Sequence, residues 1–171
     1  MLLVDRAEIT KHRQISQTVY DDVLNQYIRD AQFLDVQDLL CAEFYNDLMM
    51  NSTDAEYVEL LNRGIYQYNG TEYTNVGLKT VICYYAHARY LKFGSATDTP
   101  FSLVEKTNND SQIVSEKTKQ ILYKQNQQIA YKYWMNVEAF LNRKKSNYPL
   151  WKVEDNCKPS GCRTFRINKI V

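Results

Sequence analysis

The chain has 171 residues, 44% of them hydrophobic, which fits one domain with an ordinary core. No run approaches the ~18 consecutive apolar residues of a membrane-spanning helix, and 5 Gly and 3 Pro are too few for the frequent turns of a β-sandwich or barrel. The formal net charge of +1 hides a division: residues 1–110 carry 9 basic and 16 acidic side chains, and residues 111–171 carry 12 and 4.

The first residues, MLLVDRAEITKHR, reach a charge after only a few apolar positions. They do not read as a signal peptide, so synthesis in the cytoplasm is expected. Residues 1–17 lack a helical face and read as an extended arm. From Ser16, apolar residues Val19, Val23, Leu24, Tyr27, Ile28 and Ala31 recur at helical steps. Asp35 is placed to cap a following helix, with Asp38 in its first turn and Leu39, Leu40, Phe44 and Leu48 inward. Thr53 and Glu56 have the spacing of a capping box before a short helix with Val58, Leu60 and Leu61, which Gly64 ends.

Residues 65–75, IYQYNGTEYTN, place Asn69-Gly70 between two Tyr-rich runs, the strongest short hairpin signal. A small β-hairpin or ordered loop is expected there. Residues 76–93 return to helix, with Leu78, Val81, Ile82, Tyr85, Ala86, Tyr90 and Leu91 inward and Gly94 at the end. Residues 95–109 read as a loop of functional length.

Asp110 is expected to cap the longest helix, over 111–146. Its apolar face runs Ile113, Val114, Ile121, Leu122, Ile129, Tyr133, Val137, Phe140 and Leu141. Between Leu122 and Ile129 the sequence is wholly non-aliphatic. That stretch is expected to protrude toward a neighbour or a lumen, with Lys124, Gln125, Gln127 and Gln128 as the facing residues. Pro149 ends the helical region, and Leu150 and Trp151 read as an apolar anchor. Residues 152–171 form a basic tail with 5 Lys/Arg against 2 acids and read as an extended arm. The expected fold is therefore mostly α. It is a bundle of about four to five helices with one long C-terminal helix, a small hairpin near 65–75, and arms at 1–17 and 152–171 flanking a helical domain at 18–151.

No phosphate-binding glycine loop, dinucleotide fingerprint, H-E-x-x-H or nucleophile elbow is present. With 2 His, a histidine acid–base pair has little to draw on, and the acidic pairs Asp21/Asp22 and Asp35/Asp38 fit helix starts or solvated faces. An enzyme is not expected, nor a cofactor. Cys41 and Cys83 read as small core residues. Cys157 and Cys162 are spaced to close a loop or to supply two metal ligands, or remain free thiols; His12 and His87 are the only histidines to complete a zinc site. The lysines at 117, 119, 124 and 132, with Tyr131, Tyr133 and Trp134 among them, give a second reading as a small helical nucleic-acid-binding regulator. At helical spacing, however, such aromatics are more often core.

The segments ITKHRQIS (9–16), YIRDAQFLDVQDLL (27–40), LLNRGIYQY (60–68), VGLKTVICYYAHARYL (76–91), FSLVEK (101–106) and YWMNVEAFLNRKKSNYPLW (133–151) cover most of the chain. Together with their order they resemble head–tail connector proteins of tailed bacteriophages, most closely the ring proteins of crAss-like phages. The resemblance implies a helical protomer in a roughly twelve-fold ring of the virion neck. Its partners would be copies of itself, the portal protein, adjacent neck or tail proteins and, non-specifically, the passing genomic DNA, with no membrane. The opposite charges of the two regions suit a heterologous ring contact. Assembly residues on this reading are Arg13, Tyr66 and Tyr68, with Lys158, Arg163, Phe165, Arg166, Lys169 and Ile170 in the tail.

Overall fold

The computed structural model describes residues 1–94, 96–98, 103–105 and 114–151, the two short segments by their backbone. Among these residues the chain is mostly helical. Helix α1 spans Arg6–Thr10, and α2 (Asp21–Asp30) runs through a π-helical stretch at Ala31–Val36 into α3 (Gln37–Leu40). Helices α4 (Ala42–Met50) and α5 (Ala55–Leu61) follow. Strands β1 (Gly64–Tyr68) and β2 (Thr71–Asn75) make an antiparallel hairpin. Helix α6 covers Leu78–Phe93, β3 (Ala96–Asp98) pairs with β4 (Leu103–Glu105), and α7 is Glu116–Arg143.

Helix α6 is the centre. Leu78 and every residue from Thr80 to Ala88 are buried, as expected of a helix that is apolar on all sides. α1, α2 with its π-helical stretch, α5 and α7 pack around it. α7 presents Asn126, Ala130, Trp134, Val137 and Leu141 inward, four- and three-residue steps that keep one face on α6. Below them lies an aromatic base. Phe44 is fully buried, with its ring edge-on to Tyr57 (5.9 Å), Tyr148 (6.1 Å) and Trp151 (6.0 Å). The Trp151 indole N–H donates to Asn142 (2.7 Å), so the anchor expected at Leu150–Trp151 is present.

The hairpin turns at Asn69 (φ 51°) and Gly70 (φ 76°), the two positive values a type I′ turn requires. Asn75 then ties three elements together. Its side-chain amide donates to the Glu59 carbonyl near the end of α5 (2.9 Å), and its Oδ1 accepts the Gly77 N–H (3.1 Å). Asn136 of α7 clamps the strand exit, accepting the Val76 N–H (2.9 Å) and donating to the Thr74 carbonyl (3.0 Å).

Several expectations change. The segment 1–17 is not an extended arm: Asp5 caps α1 by accepting the Glu8 N–H (2.8 Å), and Leu3, Val4 and Ile9 are buried. A five-residue helix is too short to leave a periodic signature, and the Leu3 N–H is held by Gln32 of the π-helical stretch (2.8 Å). Asp35 caps nothing. It lies within continuous helix and pairs with Arg89 of α6 (3.0 Å). Asp54 stands at the N-cap of α5, without a side-chain bond, so the Thr53–Glu56 capping box does not form. Cys41 is not a core helical residue: it breaks the chain between α3 and α4 at φ 70° and is half-buried. The 95–109 loop contains the β3–β4 ribbon. α7 starts from Ser115, whose hydroxyl accepts the Thr118 N–H (3.2 Å). Asp110, Ile113, Cys157, Cys162 and the tail lie outside the described residues.

Candidate assembly surface

An open groove of about 690 Å³ lies between the π-helical stretch and α7, with Tyr85 of α6 among its lining residues. One wall carries Leu34, Asp35 and Asp38; the other carries Lys124, Gln128, Tyr131 and Met135. Burial raises the Asp35 carboxyl pKa, and the Arg89 guanidinium opposes that shift. The π-helical turn widens the backbone here, a deviation frequent at functional positions, and leaves Phe33 62% and Leu34 51% exposed.

The α7 wall belongs to a longer stripe. Ile121, Lys124, Gln128, Tyr131 and Met135 follow one another at steps of 3, 4, 3 and 4, and all five are exposed. That spacing, the step of a heptad seam, keeps the five residues on one arc of α7. Ile121 (46%), Tyr131 (52%) and Met135 (54%) leave large apolar surfaces in water. Lys117 and Lys132 lie beside the stripe and are exposed. Surface apolar residues scattered singly need no explanation; a contiguous set on one arc points to an interaction.

Not every residue singled out in the sequence reaches the surface. Lys124, Gln125 and Gln128 are exposed, whereas Gln127 is half-buried and donates to the Tyr123 hydroxyl (2.8 Å). The polar stretch does not protrude beyond the bundle. Asn126 is buried against α6, its amide donating to the Leu122 carbonyl (2.9 Å) and its Oδ1 3.2 Å from His87 Nδ1. Burial lowers the His87 pKa and favours the neutral imidazole, and Asn126 Oδ1, an acceptor, fits the tautomer whose proton is on Nδ1. Tyr66 is engaged within the protomer: it is buried, edge-on to Phe140 (4.9 Å), and its hydroxyl accepts from Arg143 (2.7 Å). Tyr68 is exposed, and Arg13 lies half-buried over the Tyr84 ring (4.9 Å). Lys158, Arg163, Phe165, Arg166, Lys169 and Ile170 fall outside the described residues. The aromatic run of α7 divides, with Trp134 buried, Tyr133 packed against Tyr84 (5.0 Å) and only Tyr131 outward. It is not a continuous stacking platform.

Sequence reasoning missed the exposed pair Phe33–Leu34 and the role of Ile121, Tyr131 and Met135. Ile121 was assigned to the inner face. The 3-4-3-4 spacing was present as a signal, but a second, inner apolar stripe on the same helix masked it. Among the described residues there is no cluster of His, Cys, Asp and Glu able to hold a metal, and no helix long and apolar enough to cross a membrane.

A family described as being of unknown function, DUF6712, matches residues 36–161. No curated protein and no solved structure matches the chain.

Proposed function

The chain belongs to the DUF6712 family, and we propose that it is a structural virion protein, the protomer of a cyclic ring in the head-to-tail connector of a tailed bacteriophage. On this reading the ring, of about twelve copies, docks to the portal and surrounds the channel through which DNA leaves. The observation that carries the proposal is an exposed apolar stripe bearing lysine on α7, in a chain whose residues 1–110 are net acidic. A ring contact joins two different patches of the same protomer, and unlike charges on those patches fix the docking direction. The sequence segments that resemble crAss-like phage ring proteins supply the neck as the setting. Three of them (27–40, 76–91 and 133–151) contribute the Leu34, Asp35 and Asp38 wall, Tyr85 and Met135 of the groove and much of the core beneath it.

Quantitative mass spectrometry of purified particles tests the reading. About a dozen copies per particle is the expected stoichiometry. Absence from particles while the chain is abundant in infected cells would overturn it.

The exposed Lys117, Lys124 and Lys132 on one side of α7 favour one other reading, a nucleic-acid-binding regulator. It requires DNA affinity that falls steeply with salt and drops on charge reversal at those lysines. No measurable binding at low salt removes it.

A further inference from the structure

A second seam matches the one on α7. Along α2 and into the π-helical stretch, Tyr20, Val23, Tyr27, Asp30 and Leu34 also follow steps of 3, 4, 3 and 4. Tyr20, Val23, Asp30 and Leu34 are exposed and Tyr27 is half-buried; Tyr20 is 80% exposed. Each seam covers fourteen residue steps; the α7 seam is about 21 Å of continuous α-helix at ~1.5 Å per residue, whereas the other starts at Tyr20, the extended N-cap of α2, and ends in the π-helical stretch. The seams belong to different elements, both packed on α6, and converge at the groove, which Leu34 lines together with Lys124, Tyr131 and Met135; one protomer offers both.

We propose that these two seams are the contact between neighbouring copies: α7 of one copy packs antiparallel against α2 and the π-helical stretch of the next. The direction follows from the residues. Run antiparallel, the seams pair Ile121 with Leu34, Lys124 with Asp30, Gln128 with Tyr27, Tyr131 with Val23 and Met135 with Tyr20. The single cation then meets the single anion, and apolar residues meet apolar residues at both ends. Run parallel, Lys124 faces Val23 and Asp30 faces Tyr131, and each charge is taken out of water without a partner. Neither Lys124 nor Asp30 forms an ion pair among the described residues, so both are available to a neighbour. Asp22 beside one seam and Lys132 beside the other extend the same complementarity. The contact deepens the ring reading and rests on it: the same unlike pair repeated from copy to copy gives a ring when the rotation between copies closes.

The test replaces Tyr131 with a photo-crosslinking phenylalanine analogue in the full chain. Isotopically light and heavy preparations are mixed, so that links between copies are distinguished from links within one. Links between copies that map to 20–27 are expected. Links between copies that map to Asp30 overturn the antiparallel register. Links only within one copy, or none up to millimolar protein, overturn the contact altogether. A charge swap provides the second readout. Lys124→Asp should weaken self-association about tenfold in sedimentation at low salt, and Asp30→Lys in the same chain should restore most of it. Failure of the second change to restore association refutes the pairing. The two readings fail separately. Correct crosslinks in an assembly that stops at a dimer keep the contact and remove the ring. A dozen copies per particle without those crosslinks keeps the ring and removes the contact.

Discussion

Two glycines with similar positive φ stand in very different surroundings. Gly70 at the hairpin tip has φ +76°, and Gly77 at the start of α6 has φ +81°. Alanine at Gly70 bears the positive-φ cost of about 1–2 kcal/mol; Gly77, with ψ 139°, lies outside the left-handed helical region, where a side chain costs about 1–3 kcal/mol. A Cβ on Gly70 meets nothing within 4 Å. On Gly77 it would lie 2.6 Å from the Asn62 carbonyl carbon and 2.7 Å from both the Arg63 nitrogen and the Leu61 oxygen. Carbon contacts are comfortable at about 3.5–4.0 Å, and these neighbours are backbone atoms at the end of α5, which Asn75 holds in place. They cannot move aside like a flexible side chain, so relief adds overpacking strain of about 1–3 kcal/mol. Gly70→Ala should therefore lose about 1–2 kcal/mol and Gly77→Ala about 2–6 kcal/mol, the latter a large share of a typical ~5–15 kcal/mol domain stability. Urea unfolding followed by far-UV circular dichroism reads the difference as a midpoint about 1 M lower for Gly77→Ala than for Gly70→Ala. Coincident midpoints for the two variants would refute the reasoning.

The aromatic base gives a second expectation: Phe44→Ala removes the fully buried ring that touches Tyr57, Tyr148 and Trp151, and should cost about 3–5 kcal/mol and shift Trp fluorescence to the red. A loss below about 1 kcal/mol, with unchanged fluorescence, would show that the ring is not central to the base. His87 gives a pH dependence: its pKa is lowered from 6.5 by burial, so below pH 6.5 the unfolded chain takes up a proton that the folded chain refuses. Stability is then fully present above pH 6.5 and falls on acidification. His87→Gln should flatten this decline over about pH 5–7, and an unchanged slope would assign the effect to other groups.

What the sequence made legible was what repeats or what is chemically singular. Asn69-Gly70 predicts its turn because few residues accept two successive positive φ values. The central helix was legible from its apolar content, and the anchor that follows α7 from Leu150 and Trp151. The boundaries that failed were those settled by tertiary partners. Asp35 reads as a cap because an aspartate after an apolar run commonly is one; Arg89, 54 residues away, takes its carboxylate instead. The first residues read as an arm because α1 has five residues, and their burial depends on a bond from Leu3 to Gln32 that no local pattern contains. Tyr66 and Tyr68 look alike in sequence and share one face of β1, but Tyr66 lies mid-strand against Phe140 whereas Tyr68 lies beside the turn and is exposed.

Helix α7 carries two stripes that serve different ends. At ~100° per residue the inner set (Asn126, Ala130, Trp134, Val137, Leu141) and the outer set (Ile121, Lys124, Gln128, Tyr131, Met135) are centred about 140° apart. The inner arc is sufficient to hold α7 on α6. Ile121, Tyr131 and Met135 on the outer arc are each about half exposed, where lysine or glutamate would favour solubility and equal or better helix propensity. The two functions are therefore separable by substitution. Ile121→Lys and Met135→Lys should leave the unfolding midpoint of the protomer within about 0.5 kcal/mol of the parent, while Val137→Ala, on the inner arc and fully buried, should cost about 1–3 kcal/mol. Self-association should respond in the opposite order, lost in the outer variants and retained by whatever fraction of Val137→Ala remains folded. If the outer substitutions unfold the protomer instead, the outer arc belongs to the core and the assignment of α7 as a helix with two separate faces is wrong.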